Sequence, residues 1–498
     1  MLAAAVAMVL VALGVQGLDT SSGQARYWQH EHQPSEDELD PAESATSATS
    51  GEELCTHLPI VRVETGGQKI PGKTITSASG LKLGYETGDN GESEISVSFS
   101  TVEDEGVWHH ASDKANVSGT ALFRIRGNSS RRFSKTGYRL SITKSADAAS
   151  AEGKQALLGM AEGTKWSLHG PFLDKTLMRN YLCLNLCGEV MDQWVPEVRF
   201  CELIIDGKYQ GLYMLIEMIE VQENRVNIRK CKDGDATCSY LMRMERDEGS
   251  PKNLETFDSY TFRLEPNHVV ELLYPGPAHQ SEEMRNYASA NISAIERMFQ
   301  GGDVDGWTSQ IDMKSFVDYY LLEEFMAIND AFSGSTYYYR DVRGRLTMGP
   351  AWDFNNSFNN FFNDLPTREF ILSQRGWFAA LMRSEDFVER VISRWHELRS
   401  GVLSDGNLRD KVYSTRSWLG SAIDRNFEVW GYSFDTSKLK KDEMRLPYEN
   451  SNQTVADLNP ANYDEAMEWL VDYMLNRARW MDENIHTLRQ YCHESRNQ

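Results

Sequence analysis

Phe200-Cys201-Glu202-Leu203-Ile204-Ile205-Asp206-Gly207-Lys208-Tyr209-Gln210-Gly211-Leu212-Tyr213-Met214-Leu215-Ile216-Glu217 is two apolar runs joined by Asp-Gly. Asp-Gly tolerates the positive φ angles of a two-residue turn, so the stretch predicts a β-hairpin. Just upstream, Thr176 to Val190 predicts a long helix, with Leu177, Tyr181, Leu184 and Leu186 among its apolar positions. Further upstream, Pro59 to Thr65, Glu94 to Phe99, Ala121 to Arg126 and Tyr138 to Ile142 alternate apolar and polar residues between Gly/Asn/Asp-rich turns. That pattern predicts short antiparallel strands.

Downstream of about residue 285 the period changes. Val317, Leu321, Phe325 and Ile328 predict one apolar helical stripe, and Phe387, Val391, Trp395 and Leu398 a second helix. Trp469, Tyr473 and Trp480 mark a third, and its two tryptophans, like Trp395, are read as core packing. Thr336 to Tyr339 and Leu346 to Met348 predict another hairpin. The expected fold class is therefore α+β, with an antiparallel β-rich part over 55–220 and a mainly helical part over 221–490.

The chain has 498 residues, with 51 Lys+Arg against 73 Asp+Glu and a net charge of −22. An apolar content of 41% and a charged content of 25% exclude whole-chain disorder. The acidic balance argues against nucleic acid as a partner. Leu2 to Val15 is apolar, and Val15 and Gly17 are the small residues a signal peptidase reads, so 1–17 is expected to be a signal peptide and the protein secreted, extracellular or at the cell surface. No later apolar run could span a membrane. Residues 18–54 carry Glu31, Glu36, Asp37, Glu38, Asp40 and Glu43 and then a Ser/Thr/Ala run, and are expected to be a disordered acidic linker. Among seven cysteines, Cys231 and Cys238 flank a polar Gly-containing loop and are expected to form a disulfide. No cysteine spacing matches a zinc motif.

Three segments carry candidate chemistry. Arg124-Ile125-Arg126-Gly127-Asn128-Ser129-Ser130 ends a strand in a small-residue turn, and Lys135 follows. Small residues let backbone N–H groups approach phosphate, and a Lys can neutralise it, although an ordinary hairpin turn has the same look. Asp330 ends an apolar helical run, and Asp353 follows the second hairpin in Gly349-Pro350-Ala351-Trp352-Asp353-Phe354-Asn355. Phosphoryl transfer needs one carboxylate at the incoming hydroxyl and one on the metal that bridges the phosphates.

With these segments, Asp174 with Met178-Arg179-Asn180-Tyr181, the Glu202 to Tyr213 hairpin, Asn329-Asp330-Ala331, Arg394 to Arg399 and Arg479 to Asp482, the chain resembles the CotH family of secreted, atypical protein kinases over about residues 58 to 488. The resemblance implies a divergent, two-lobed protein-kinase-like fold that moves the γ-phosphoryl of ATP to Ser or Thr of secreted, surface or coat proteins, with Mg²⁺ or Mn²⁺. It implies Asp330 as catalytic residue and Asp353 and Asn355 at the metal. It implies Lys135 and Arg126 at the nucleotide, Glu217 near the adenine hinge, and Arg179 ordering the first long helix against the site. Ser335 stands where many members carry Asn, and Asn355 where many carry Asp. Fewer carboxylates imply weaker Mg²⁺ binding. The alternative is a weak or inactive surface protein acting in adhesion or coat assembly.

Overall fold

The computed structural model describes residues 26–46, 51–77, 82–145, 152–232, 234–257, 268–360, 367–440, 443–444 and 458–493. The expected signal peptide lies outside the described residues.

Strands β1 (Cys55–Thr56), β2 (Ile60–Glu64), β3 (Thr74–Thr76), β4 (Lys82–Tyr85), β5 (Ile95–Val102), β6 (His109–His110), β7 (Val117–Arg126), β8 (Gly137–Thr143) and β9 (Lys165–His169) precede the Arg179–Val190 helix. β10 (Val198–Ile205) and β11 (Lys208–Glu217) follow it. Seven of these strands close into a barrel in the order β10-β11-β9-β8-β7-β5-β2. The closing pair, β10 with β2, is parallel, from Glu202 opposite Ile60 to Ile205 opposite Val63, and the other pairings are antiparallel. Val63, Phe99, Phe123, Leu140, Trp166, Leu203 and Leu215 pack in one apolar cluster within it.

The expected hairpin forms, with Asp206 at φ 48° and Gly207 at φ 72° in the turn. The Asp206 carboxylate also accepts from the Thr65 amide at 2.7 Å, pinning the turn to the end of β2. Gly211, at φ 102°, marks a close approach: a Cβ there would sit 2.8 Å from Asn426 Oδ1, on the Ser421–Trp430 helix. The first long helix starts later than its apolar pattern suggests. Asp174 accepts from the amides of Thr176 (3.1 Å) and Arg179 (2.8 Å), and Leu177 sits at φ 64°, so residues 174–178 form a turn and the helix begins at Arg179.

The second sheet runs β13-β14-β12-β15-β16, built from β12 (Tyr240–Arg246), β13 (Asn253–Leu254), β14 (His268–Tyr274), β15 (Thr336–Arg340) and β16 (Thr347–Met348). Its β15–β16 pair is the expected hairpin, with Tyr338 opposite Met348. Helices Met313–Met326, Glu385–Ser400, Asp405–Leu419 and Tyr463–Asn484 make up much of the helical part. Cys231 and Cys238 are disulfide-bonded, with Cα atoms 5.5 Å apart. Among the described residues no helix is long and apolar enough to cross a membrane.

Three expectations are corrected. The Met313–Met326 helix is buried on all sides from Ser315 to Met326 rather than along one stripe, and it ends at Ala327 (φ 53°), before Ile328. Trp395 is buried, but Trp469 is 40% exposed and lines a cavity of about 290 Å³ with Lys175, Asn360 and Tyr473. Residues 26–46 and 51–54, expected to belong to a disordered linker, form a docked arm. Trp28 is 1% exposed and its indole N–H donates to Glu189 at 2.5 Å. Arg26 donates to Asn185 at 2.8 Å and to the Val195 carbonyl at 3.0 Å, and the Gln29 side chain accepts from the Phe200 amide at 2.7 Å. A few large anchors outweigh an acidic average, because burying one Trp offsets the ordering entropy of several residues.

Candidate functional site

The turn after the Met313–Met326 helix and the loop after β16 meet at one place. The Asp330 carbonyl accepts from the amides of Ser333 (2.9 Å) and Gly334 (2.8 Å), closing a tight turn into β15. Ser335, in that turn, donates its hydroxyl to Asp353 Oδ2 at 3.3 Å. Ser335 (φ 48°) and Asp353 (φ 71°) both occupy the left-handed region, which costs a non-Gly residue about 1–3 kcal/mol and is concentrated at functional sites. The β15–β16 hairpin thus folds Asp353 back onto the Asp330 turn.

Arg126 joins them from the barrel. It leaves the end of β7, donates to Ser167 at 2.6 Å on β9, and lies 5.2 Å from the Trp352 ring. The charges that face Asp353 are Arg126, Asp330 and Glu245. Asp353 is open to solvent at its own surface, yet protein surrounds it at longer range. That desolvation raises its carboxyl, Arg126 opposes the rise, and Asp330 and Glu245 add to it. Behind it lies Glu323, 5% exposed and with Oε2 lacking any hydrogen-bond partner. Burial first, then the charges of Asp353 and Glu324, push Glu323 up to about 8.

The Arg179–Val190 helix reaches the same loop from behind. The Phe354 amide donates to Asn180 Oδ1 at 3.0 Å, and Asn180 Nδ2 lies 3.1 Å from His169 Nε2 on β9. An amide N–H₂ can only donate, so Nε2 accepts and the ring is neutral. Burial, followed by Arg126, pushes His169 down to about 3, which agrees with a neutral ring. Arg179 points inward: it pairs with Asp174 at 2.5 Å and donates to the Ser357 carbonyl at 3.0 Å. It ties the helix start to the segment after Asp353.

Asp330, Asp353 and Arg126 are therefore brought together; three other expected site residues are not. The Lys135 ammonium is buried and donates to Asn426 Oδ1 at 2.5 Å. Its charged neighbours are Glu202, Lys175 and Asp174, not Asp353, and burial holds it well below the usual lysine range. The segment entering β8 turns Lys135 toward the Ser421–Trp430 helix and away from the Asp330–Asp353 pair. Glu217 ends β11 as expected, but its carboxylate accepts from the Glu197 amide at 2.9 Å and lies 3.7 Å from Arg225. Burial raises it to about 7. It lines a cavity of about 970 Å³ with Arg26, Trp194, Arg199 and Arg225, and Asp330, Asp353 and Arg126 do not line that cavity. Asn355 donates its amide to Asn356 at 3.1 Å rather than to the carboxylate pair.

Sequence reasoning missed one wall of the site. β12 contributes Arg243 and Glu245, and β15 contributes Tyr337, opposite Arg243 in the ladder. Arg243 donates to Glu271 at 2.9 Å and lies 3.5 Å from Glu245. The alternation Tyr240/Met242/Met244 against Arg243/Glu245 was the available signal. Across from it, the barrel presents Arg124 opposite Arg139 on β7 and β8, and Lys165 opposite Ser141 on β9 and β8. Lys252 lies within electrostatic reach of Arg243, Lys165 and Arg139, so the two walls share one field. Arg124 and Arg139 pair with Glu94, Lys165 with Glu220 and Arg243 with Glu271, so the arrangement offers carboxylates for a hard cation beside cations already engaged by carboxylates of their own.

The family model described as CotH kinase protein matches residues 123–481, most of the chain. The chain belongs to the CotH kinase family. The match starts inside β7, just before Arg126, and takes in Asp330 and Asp353. Family membership points to a kinase-like function for this site. No curated protein matches the chain.

Proposed function

We propose that this CotH family member is an atypical protein kinase, dependent on ATP and Mg²⁺ or Mn²⁺, that phosphorylates Ser or Thr of secreted, surface or coat proteins. In this reading the barrel and the helical part act as two kinase-like lobes, and the protein itself is secreted or held at the cell surface. The observation that carries the reading is the convergence of Asp330 and Asp353, from two loops, with Arg126 from the barrel.

The donor set fits a divalent cation. Asp353 and Asp330 are like charges in a partly desolvated site, with Glu245 adding a third, and such a group is stabilised by a cation. Asp353 would hold the metal, which when bound neutralises phosphate charge. Arg126 would face the phosphates, with Arg243 and Lys252 on the opposite wall. Ser335 fixes the Asp353 carboxylate by donating to Oδ2. Glu323, protonated at neutral pH, adds no second negative charge behind Asp353. Asp330 would receive the proton of the incoming hydroxyl at a carboxylate oxygen.

Calorimetry with ATP and Mg²⁺ or Mn²⁺ tests the assignment. The wild type should bind nucleotide only with metal, and Asp353→Ala should abolish that binding while circular dichroism shows an unchanged fold. Equal affinity in the variant would remove Asp353 from the metal site. Nucleotide binding without phosphate incorporation into any substrate would move weight to the adhesion or coat reading.

A further inference from the structure

A second cluster lies outside the carboxylate site, where the N-terminal arm crosses the barrel. Glu43, Cys55 and His110 each offer one ligand atom, and the three atoms all lie within 4.8 Å of one another. Their backbones are held in place by independent contacts. Cys55 pairs with His110 across the antiparallel β1–β6 ladder. The arm is fastened to the same ladder: the Thr46 amide donates to the Cys55 carbonyl at 3.1 Å, and the Cys55 amide donates to Thr46 Oγ1 at 2.9 Å. Trp108, next to β6, donates its indole N–H to the Asp40 carbonyl at 3.1 Å. Glu43 is thus delivered to the ladder by a segment bonded on both sides of it.

The side-chain geometry has the form of a metal site with a supporting shell. Glu43 Oε2 lies 3.3 Å from His110 Nε2. Tetrahedral zinc, with bonds of roughly 2.0–2.3 Å, holds its ligand atoms roughly 3.3–3.8 Å apart. The other ring nitrogen, His110 Nδ1, lies 3.6 Å from Asp113 Oδ2, and Asp113 also accepts from the His110 amide at 2.7 Å. A carboxylate on the far nitrogen of a histidine is the usual device for presenting Nε2 to a metal. Cys55 is buried and forms no disulfide, whereas Glu43 is exposed, leaving a path for an ion and a water.

We propose that Glu43, Cys55 and His110 form a zinc site, with water as fourth ligand and Asp113 orienting His110, that fastens the N-terminal arm to the barrel. A thiolate, an imidazole and one carboxylate suit Zn²⁺ or its Co²⁺ surrogate, and not the hard Mg²⁺ of a phosphoryl-transfer site. Binding releases the Cys55 proton to solvent as the thiolate coordinates. This site is independent of the proposed kinase activity.

The test is titration of the chelator-treated full chain with Co²⁺, followed by Zn²⁺. We expect a thiolate-to-cobalt charge-transfer band and tetrahedral visible bands, both bleached by Zn²⁺. Cys55→Ser should lose the charge-transfer band. Asp113→Asn should weaken binding by about tenfold, the usual cost of losing a carboxylate behind a metal-bound histidine. His110→Gln and Glu43→Gln should weaken it at least as much. Asp353→Ala should keep the band, which separates this site from the carboxylate pair. Zn²⁺ should raise the wild-type melting temperature and leave that of His110→Gln unchanged. Absence of the band, its survival in Cys55→Ser, or equal affinity in His110→Gln would overturn the proposal. If Cys55→Ser does not fold, the His110→Gln and Glu43→Gln titrations decide it.

Discussion

Replacing Glu323 by Gln should stabilise the protein increasingly as pH rises. Glu323 is buried, has an unpartnered Oε2, and sits behind Asp353. Its carboxyl is raised from 4.5 to about 8 by burial and the neighbouring negative charges. An acid raised in the folded state holds its proton there while the unfolded chain has lost it. Its stabilising contribution is therefore full below pH 4.5 and is lost as pH rises to about 8. Each pH unit well inside that window costs about 1.4 kcal/mol, so from pH 5 to pH 7 the loss is on the order of 2–3 kcal/mol. Glutamine keeps the shape and does not titrate. Urea unfolding of wild type and Glu323→Gln at pH 5 and pH 7, without divalent metal, measures the effect. The stability difference should grow by roughly 2–3 kcal/mol in favour of Gln between the two pH values. Asp353→Asn should shrink that growth, because the Asp353 charge helps raise Glu323. A difference that does not change with pH would show that Glu323 ionises normally, refuting the desolvated setting derived for the Asp353 neighbourhood.

Asp330→Asn should leave ATP affinity nearly intact and cut phosphate incorporation by about 10²-fold or more, the scale of general-base loss; equal rates at saturating ATP would retire the catalytic role. Trp28→Ala should destabilise the protein by about 3–5 kcal/mol, the usual cost of removing a buried Trp side chain, and an unchanged melting temperature would show that the arm is not fastened by this residue. His169 should lend acid sensitivity: its ring is pushed down to about 3 in the fold against 6.5 when free, so its contribution falls as pH drops from 6.5 towards 3. His169→Gln should flatten that part of the stability profile, and an identical acid limb in both proteins would argue against a neutral buried ring.

What the sequence reveals follows the range of the forces involved. The β10–β11 hairpin is legible because two apolar runs and Asp206-Gly207 act within eighteen residues. Asp330 and Asp353 are legible as a pair because a single hairpin separates them. The barrel closure is hidden, since β10 finds its parallel partner β2 far back in the chain. The surroundings of Lys135 are not legible, because a basic residue after a small-residue turn looks the same whether it faces open solvent or, as here, Asn426. The arm is hidden by averaging, because Arg26 and Trp28 lie in an acidic stretch whose mean hydropathy is low. Arg243 and Glu245 go unseen because β12 is one strand whose partners, β14 and β15, both lie downstream, β15 by about ninety residues.

The arm's partners also set an order of assembly. Lys411 pairs with Glu31, and Trp418 donates to the Pro34 carbonyl, 384 residues away in sequence. During synthesis β5, β7, β8 and β9 can pair with their neighbours as they emerge, but the barrel cannot close before β10 is made. The Glu31–Pro34 part of the arm must wait longer still, for the Asp405–Leu419 helix, whereas Arg26, Trp28 and Gln29 can dock once residues 185–200 are made. Part of a segment among the first to leave the ribosome is therefore among the last to be fastened. Until then its acidic side chains keep the waiting segment solvated and apart from the nascent barrel.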